Sequence, residues 1–231
     1  MRGERGRRED LTIVVLAGGF GTRLGSLTQN TPKPLVPVKG VPALDHVLGR
    51  LIRLGAADIR VVGAYLGHMV EHHLRQRWPG CRYIDEGEPR GTANAFWAAA
   101  DRPFLQRVLV CNADTVLESH LVQLVDLDGW QAAMAVAATL APAPWPLGQR
   151  DGAVTLDPSG GLTFAGYMVA RTDALGPPGR RRGSLESEVL EPLVRSGRVR
   201  ATPVSGFCDM GTPEGLQRME GLVWRFGRGL P

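Results

Sequence analysis

From Leu11 to Cys111 short apolar runs alternate with longer amphipathic stretches. LTIVVL, DIRVVG, CRYI and RVLVC are dominated by aliphatic residues, and runs that are continuously apolar mark strands buried on both faces. Between them HVLGRLIRLG, LGHMVEHHLRQRW and GTANAFWAAA carry helical spacing. Strands and helices in alternation predict the α/β class: a mixed, mostly parallel central sheet with helices on both faces, in three αβα layers. The pattern changes at Gln131. AAMAVAATL reads as a strand, APAPWPLGQRDG as a loop, and GAVTL and LTFAGYMVA as two further strands around the turn DPSGG, a smaller mixed region. Ser184 and Thr212 are placed as N-caps, the second followed by Pro213 at the first helical position, so helices are predicted over 185–196 and 213–225. No internal repeat is visible.

Composition narrows this picture. With 231 residues, 43% of them apolar, the chain can bury one substantial core, so residues 11–231 read as a single domain behind a flexible basic arm, 1–10. The arm holds four arginines against three acids, contributing +1 of the net +4; charge so weak and diffuse predicts no nucleic-acid partner. No segment approaches the ~18 apolar residues of a membrane span, so no membrane partner and a cytoplasmic location are expected. Cys81, Cys111 and Cys208 are odd in number and lack a CxxC spacing, which excludes a disulfide framework and a zinc knuckle and reads as reduced, buried thiols. His68 and His72 stand four apart beside Glu71 and His73, and this group reads as a solvated helix face. The scattered tryptophans read as packing.

Candidate chemistry sits in loops that follow strands, where open α/β sheets bind ligands. LAGGFGTRLGSLTQNTPKPLVPV, residues 16–38, places three glycines in four residues ahead of Arg23 and Lys33. Glycines let the backbone approach a ligand closely, and the two cations give that ligand a negative charge, as in a phosphate chain. The Walker loop fails, because Gly21 is followed by Thr22 and Arg23, and the dinucleotide fingerprint fails at Leu24. In YIDEGEPRGTANAF, residues 83–96, Gly91 and Thr92 open a helix whose free N–H groups are suited to acceptors on a base or ribose. VLVCNADT, residues 108–115, is an apolar strand ending in Asn112 and Asp114, and a carboxylate just past a buried strand is well placed to hold Mg²⁺. FCDMGTPEGL, residues 207–216, presents Asp209 in the same manner.

The combination LAGGFGTRL with TPKPLVPV resembles the signature of the sugar-1-phosphate nucleotidyltransferases, the nucleotide-sugar pyrophosphorylases. That resemblance implies the Rossmann-like nucleotide-diphospho-sugar transferase fold, and as partners a nucleoside triphosphate and a sugar 1-phosphate, in a monomer or homodimer. It implies nucleotide contacts from Leu16, Ala17, Gly18, Gly19, Gly21, Thr22, Arg23, Glu86, Gly91, Thr92 and Asn112. Arg23 and Lys33 become the catalytic cations, and Asp114 and Asp209 the ligands of a Mg²⁺ cofactor. LTFAGYMVA and SLESEVLEPL are similar to the family's sugar-side elements, with Gly166, Tyr167 and Glu186 toward the sugar. Two positions depart from the family pattern. Arg90 replaces an apolar residue, and the F-x-E-K lysine that meets the sugar phosphate is missing, since no lysine follows Lys39; an arginine such as Arg150 or Arg171 is the expected substitute, with weaker phosphate binding as the alternative. The LAGG, PxGTA, NxDT and D-x-GTP elements are most similar to the heptose- and mannose-1-phosphate guanylyltransferases. GTP with a manno-configured sugar 1-phosphate, such as D-glycero-D-manno-heptose 1-phosphate, is therefore expected. The alternatives are UTP or dTTP with a hexose 1-phosphate and, from another class, a non-catalytic nucleotide-sugar sensor subunit.

Overall fold

The computed structural model describes residues 8–117, 121–139, 143, 145–179, 182–205 and 207–225. The chain runs through β1 (Arg8–Leu16), the short β2 (Pro37–Val38) and β3 (Val41–Pro42), α1 (Ala43–Leu51), β4 (Ala56–Gly63), α2 (Gly67–Arg77), β5 (Arg82–Asp85), α3 (Thr92–Ala98) and β6 (Arg107–Asn112). It continues through β7 (Thr115–Leu117), α4 (Val122–Val125), β8 (Ala132–Ala138), β9 (Leu147–Arg150), β10 (Ala153–Leu156) and β11 (Leu162–Arg171). A π-helical turn (Glu186–Leu190), α5 (Glu191–Arg195), β12 (Val199–Pro203), β13 (Phe207–Asp209) and α6 (Pro213–Arg225) complete it.

Nine strands form one sheet in the order β5-β4-β1-β6-β11-β8-β12-β10-β9. β5, β4, β1 and β6 are parallel neighbours, as are β8 and β12, while β11 is antiparallel to both β6 and β8. The apolar runs explain the three layers. In β1, Leu11, Ile13 and Val15 pack on one face with α1, α2 and Met219 of α6; Val14 and Leu16 pack on the other with Phe96 and Trp97 of α3 and Leu193 of α5. Because β1 lies between β4 and β6, the strand order reverses beside it, and the loops leaving β1 and β6 diverge there to open a cleft.

β1 begins at Arg8, so the last three residues of the expected arm belong to the sheet. Arg8 N–H bonds the Gly55 carbonyl, and Asp10 pairs with Arg107 of β6 at 2.7 Å. The expected loop 141–152 is corrected as well: Leu147–Arg150 is a strand joined to β10 through Asp151 (φ 51°) and Gly152 (φ 83°). Both turn residues have positive φ, the geometry for which Asp-Gly is suited in a two-residue hairpin. The rest of the expected strand and loop at 140–142 and 144 lies outside the described residues.

Ser184 and Thr212 cap their helices as expected, their hydroxyls accepting the N–H groups of Ser187 and Gly215, both at 3.1 Å. The helix predicted over 185–196 is π-wound in its first half. Pro192 has no N–H to return to the preceding turn, and that turn widens. Among the described residues no helix is long and apolar enough to cross a membrane, and the three cysteines are free.

Candidate active site

The glycine-rich loop is fixed at its root before it enters the cleft. Ala17 N–H bonds the Val62 carbonyl at 2.7 Å, and Ala113 N–H bonds the Leu16 carbonyl at 2.9 Å. Leu16 and Ala17 are buried and anchor the root of the loop through these backbone bonds. Gly19, Thr22 and Arg23 are exposed. Gly21 has φ 66° and packs so tightly that a Cβ would sit 2.9 Å from Thr28 Cγ2 and 3.1 Å from Lys33 Cβ. Only glycine combines that backbone with that contact, and it brings the loop against the lysine stem. Thr28 Oγ1 donates to the Gly21 carbonyl at 3.0 Å, and the Tyr65 hydroxyl donates to the Gln29 carbonyl at 2.9 Å. These bonds hold the loop's return, while Phe20 at its apex rests against the Tyr65 ring.

Asp114 and Asp209, far apart in sequence, meet because β7 and β13 form a small antiparallel ladder in which Asp209 opposes Thr115. Met210 N–H then bonds the Asp114 carbonyl at 3.1 Å. Lys33 Nζ forms an ion pair with Asp114 Oδ2. Arg23 reaches the same place: a Cβ at Gly211 would stand 2.7 Å from its Nη2 and 2.5 Å from Asp209 Oδ1. Burial pushes the Asp114 carboxyl above its ordinary value and Asp209 adds to that, while the Lys33 ammonium opposes both. Two carboxylates, one ammonium and one guanidinium thus surround one point at the carboxyl end of the sheet. An oxygen-only donor set of two carboxylates fits a hard cation that completes its shell with water and substrate phosphate. Among the described residues no group of three or more histidines, cysteines or carboxylates gathers, so the His68 and His72 pair has no partners for a metal.

Glu86 lies beside the glycine loop, where a Cβ on Gly18 would overlap its carboxyl group. Asn94 Nδ2 donates to Glu86 Oε2 at 3.1 Å, and burial holds the Glu86 carboxyl above its ordinary value. Gly91 opens α3 with φ 105°. Of the N–H groups expected to be free there, that of Ala93 is taken, bonding the Gly183 carbonyl at 3.2 Å, and in return Gly183 N–H bonds the Arg90 carbonyl at 3.3 Å. The Thr92 hydroxyl accepts from Leu185 N–H at 2.7 Å. The base-side loop is therefore bonded to the segment that carries Glu186, a contact that single-loop motifs do not reveal.

On the sugar side two expectations change. Tyr167 is 1% exposed, its hydroxyl donating to the Thr115 carbonyl at 2.7 Å, so it supports the site from the core and does not face a sugar. Gly166 is buried at φ 78°, a Cβ there lying 3.0 Å from Thr115 Cγ2, at an irregularity in the β11 and β8 pairing. Glu186 is half-buried, and among the described residues its carboxylate has no hydrogen-bond or ion-pair partner. Neither expected lysine substitute serves. Arg171 pairs with Arg107, the first residue of β6, and is salt-bridged to Asp173. Arg150 adjoins the turn at Gly152, where a Cβ would sit 3.6 Å from the ring of Trp130, just ahead of β8. Both lie at the end of the sheet opposite Asn112 and Asp114. Lys33 and Arg23 are the cations the structure places at the carboxylates.

The chain is 31% identical over 118 residues to the 2-aminoethylphosphonate cytidylyltransferase of Lancefieldella rimae, covering 50% of this chain and 48% of that one. It is 29% identical over 223 residues to the mannose-1-phosphate guanylyltransferase of Mycobacterium tuberculosis, covering 89% and 62%. With the UTP–glucose-1-phosphate uridylyltransferase of Haloferax volcanii it shares 29% over 233 residues, covering 91% and 95%. The chain thus spans about half to two thirds of the first two relatives and nearly all of the third. Its fold superposes on the inositol-1-phosphate CTP transferase of T. maritima with a TM-score of 0.78 at 16% identity, over 98% of this chain and 99% of that one. The profile of the family described as Nucleotidyl transferase matches residues 12–169, from the first buried strand through the glycine loop, the Glu86 loop and Asp114, and the chain belongs to that family.

Proposed function

We propose that the protein joins a nucleoside triphosphate, GTP by preference, to a manno-configured sugar 1-phosphate, releasing pyrophosphate. The observation that carries the reaction is the meeting of Lys33, Arg23, Asp114 and Asp209 at the mouth of the glycine loop. An oxygen of the sugar phosphate attacks the α-phosphorus, a new P–O bond forms, and the bond from that phosphorus to the pyrophosphate oxygen breaks. The attacking oxygen is already anionic, so no general base is required; the barrier is repulsion between phosphates and charge gathering on the leaving group. Gly18, Gly19, Gly21 and Thr22 cradle the triphosphate, Arg23 neutralises the departing pyrophosphate, and Lys33 bridges donor and acceptor phosphates. Asp114 and Asp209 would hold Mg²⁺, which when bound supplies charge neutralisation across the phosphates. Asn112 ends β6 beside them.

Glu86 supports guanine. An ionised carboxylate accepts hydrogen bonds only, and guanine offers it two adjacent donors, N1–H and the N2 amino group, whereas uracil and thymine present one N–H between two carbonyls. The mannose-1-phosphate guanylyltransferase relative supports the manno sugar, with mannose 1-phosphate and D-glycero-D-manno-heptose 1-phosphate as the two acceptors, in a cytoplasmic protein.

Pyrophosphate release with Mg²⁺, measured for GTP, UTP, dTTP, CTP and ATP against mannose, glucose and heptose 1-phosphates, tests both parts. GTP with a manno acceptor is expected to dominate. Dominance of UTP or dTTP with glucose 1-phosphate overturns the guanine assignment. Silence in every combination, from folded protein that still binds nucleotide, overturns catalysis in favour of a sensor.

A further inference from the structure

The segment carrying Glu186 is fastened to the base-side loop at three points: Gly183 N–H to the Arg90 carbonyl, Ala93 N–H to the Gly183 carbonyl, and Leu185 N–H to the Thr92 hydroxyl. The first two bonds are backbone to backbone and need close approach. Gly91 at φ 105° and Gly183 at φ 147° supply it, for a Cβ on Gly91 would overlap the Gly183 carbonyl oxygen. The third bond is the shortest, at 2.7 Å, and is the one made by a side chain. Leu185 is 4% exposed, so without Thr92 its amide has little access to water. Immediately after this bond comes Glu186, whose carboxylate has no partner among the described residues, and the chain then enters the π turn that Pro192 imposes.

We propose that Thr92 is a positioning residue for the acceptor: its hydroxyl sets the entry of the Glu186 segment, so that the loop that borders the nucleotide also places the Glu186 carboxylate that meets the acceptor. This rests on the assignment of Glu186 to the sugar. The hydroxyl accepts Leu185 N–H with one lone pair and keeps its proton to donate elsewhere, so the acceptor role stands on the bond to Leu185, and α3 behind it is pinned by Ala93.

Thr92→Val preserves shape and removes the acceptor; Thr92→Ser preserves the acceptor. Each is compared with wild type in GTP binding by calorimetry, in steady-state kinetics with varied sugar 1-phosphate, and in hydrogen–deuterium exchange over residues 182–190. In Thr92→Val the acceptor KM rises about tenfold or more, as expected for a stranded amide, GTP affinity stays within about twofold, and exchange over 182–190 accelerates. Thr92→Ser restores all three. Weakened GTP binding with an unchanged acceptor KM overturns the proposal, because it places the hydroxyl on the nucleotide. Unchanged exchange over 182–190 also overturns it. Accelerated exchange in a protein whose wild type transfers no nucleotide supports the clamp while overturning the reading of Glu186 as an acceptor contact.

Discussion

Arg23 stands where the glycine loop touches the loop after Asp209, exposed to solvent yet within reach of Gly211. A guanidinium there can follow charge as it moves to the pyrophosphate, so Arg23→Ala should lower turnover by two to three orders of magnitude, about 3–4 kcal/mol of lost charge stabilisation. Single-turnover pyrophosphate release checks this, and a near-normal rate removes the assignment. Asp114, Asp209, Arg23 and Lys33 were legible in the sequence because each follows an apolar strand or a glycine run, and such sites advertise themselves locally. Tyr167 and Thr92 were not. A Gly-Tyr step reads the same whether the ring faces a cleft or the core, and the hydroxyl partner of Thr92 lies 93 residues away in sequence. The anchoring of Leu16 and Ala17 was not legible for a related reason: the motif marks the loop, while tertiary hydrogen bonds decide which of its residues fix its root.

Among the elements, α6 shows how a local signal becomes a packed structure. Thr212 caps it, Pro213 occupies its first turn, and Met219 reaches the core with no exposure. Thr212→Ala should cost about 1 kcal/mol, read as a lower urea midpoint at constant slope; an unchanged midpoint shows that packing alone holds the helix. The same local logic would have found β9, since Asp151-Gly152 between QR and AV is a hairpin signal. It escaped notice, although its partner β10 was read from GAVTL, because it is four residues long and buries one side chain, that of Leu147. The π turn was legible only as a helix. Pro192 announced a disturbance, but whether the preceding turn widens or breaks depends on the packing of Val189 and Leu190 beneath it.

For the molecule as a whole, the class and the three layers were legible because β1, β4 and β6 read as continuous apolar runs, which only a doubly covered sheet satisfies. The position of β11 between β6 and β8 was not, because non-local pairing leaves no period in the chain. The sheet's stability carries a pH signature. Hydrogen bonds from Arg107 hold the Asp10 carboxyl below its ordinary 3.8, and this ion pair ties β1 to β6. A carboxyl depressed in the folded state contributes stability that is fully present above its unfolded value and is lost as pH falls through its folded value. Asp10→Asn should therefore be less stable than wild type at neutral pH, with the difference narrowing as pH falls below the ordinary carboxylate value of 3.8; urea midpoints from neutral to acid pH would show it, and a constant difference would refute it. The ion pair of Lys33 with Asp114 has a consequence of its own. The site already contains a counter-ion, so a divalent cation entering without substrate must evict a tethered one, and free Mg²⁺ should bind weakly. Phosphates arriving with their metal offer the ammonium a new anion, turning eviction into exchange and making nucleotide the admission ticket for metal. Lys33→Met should therefore bind Mg²⁺ more tightly in the absence of nucleotide, and calorimetry showing equal or weaker affinity would count against exchange.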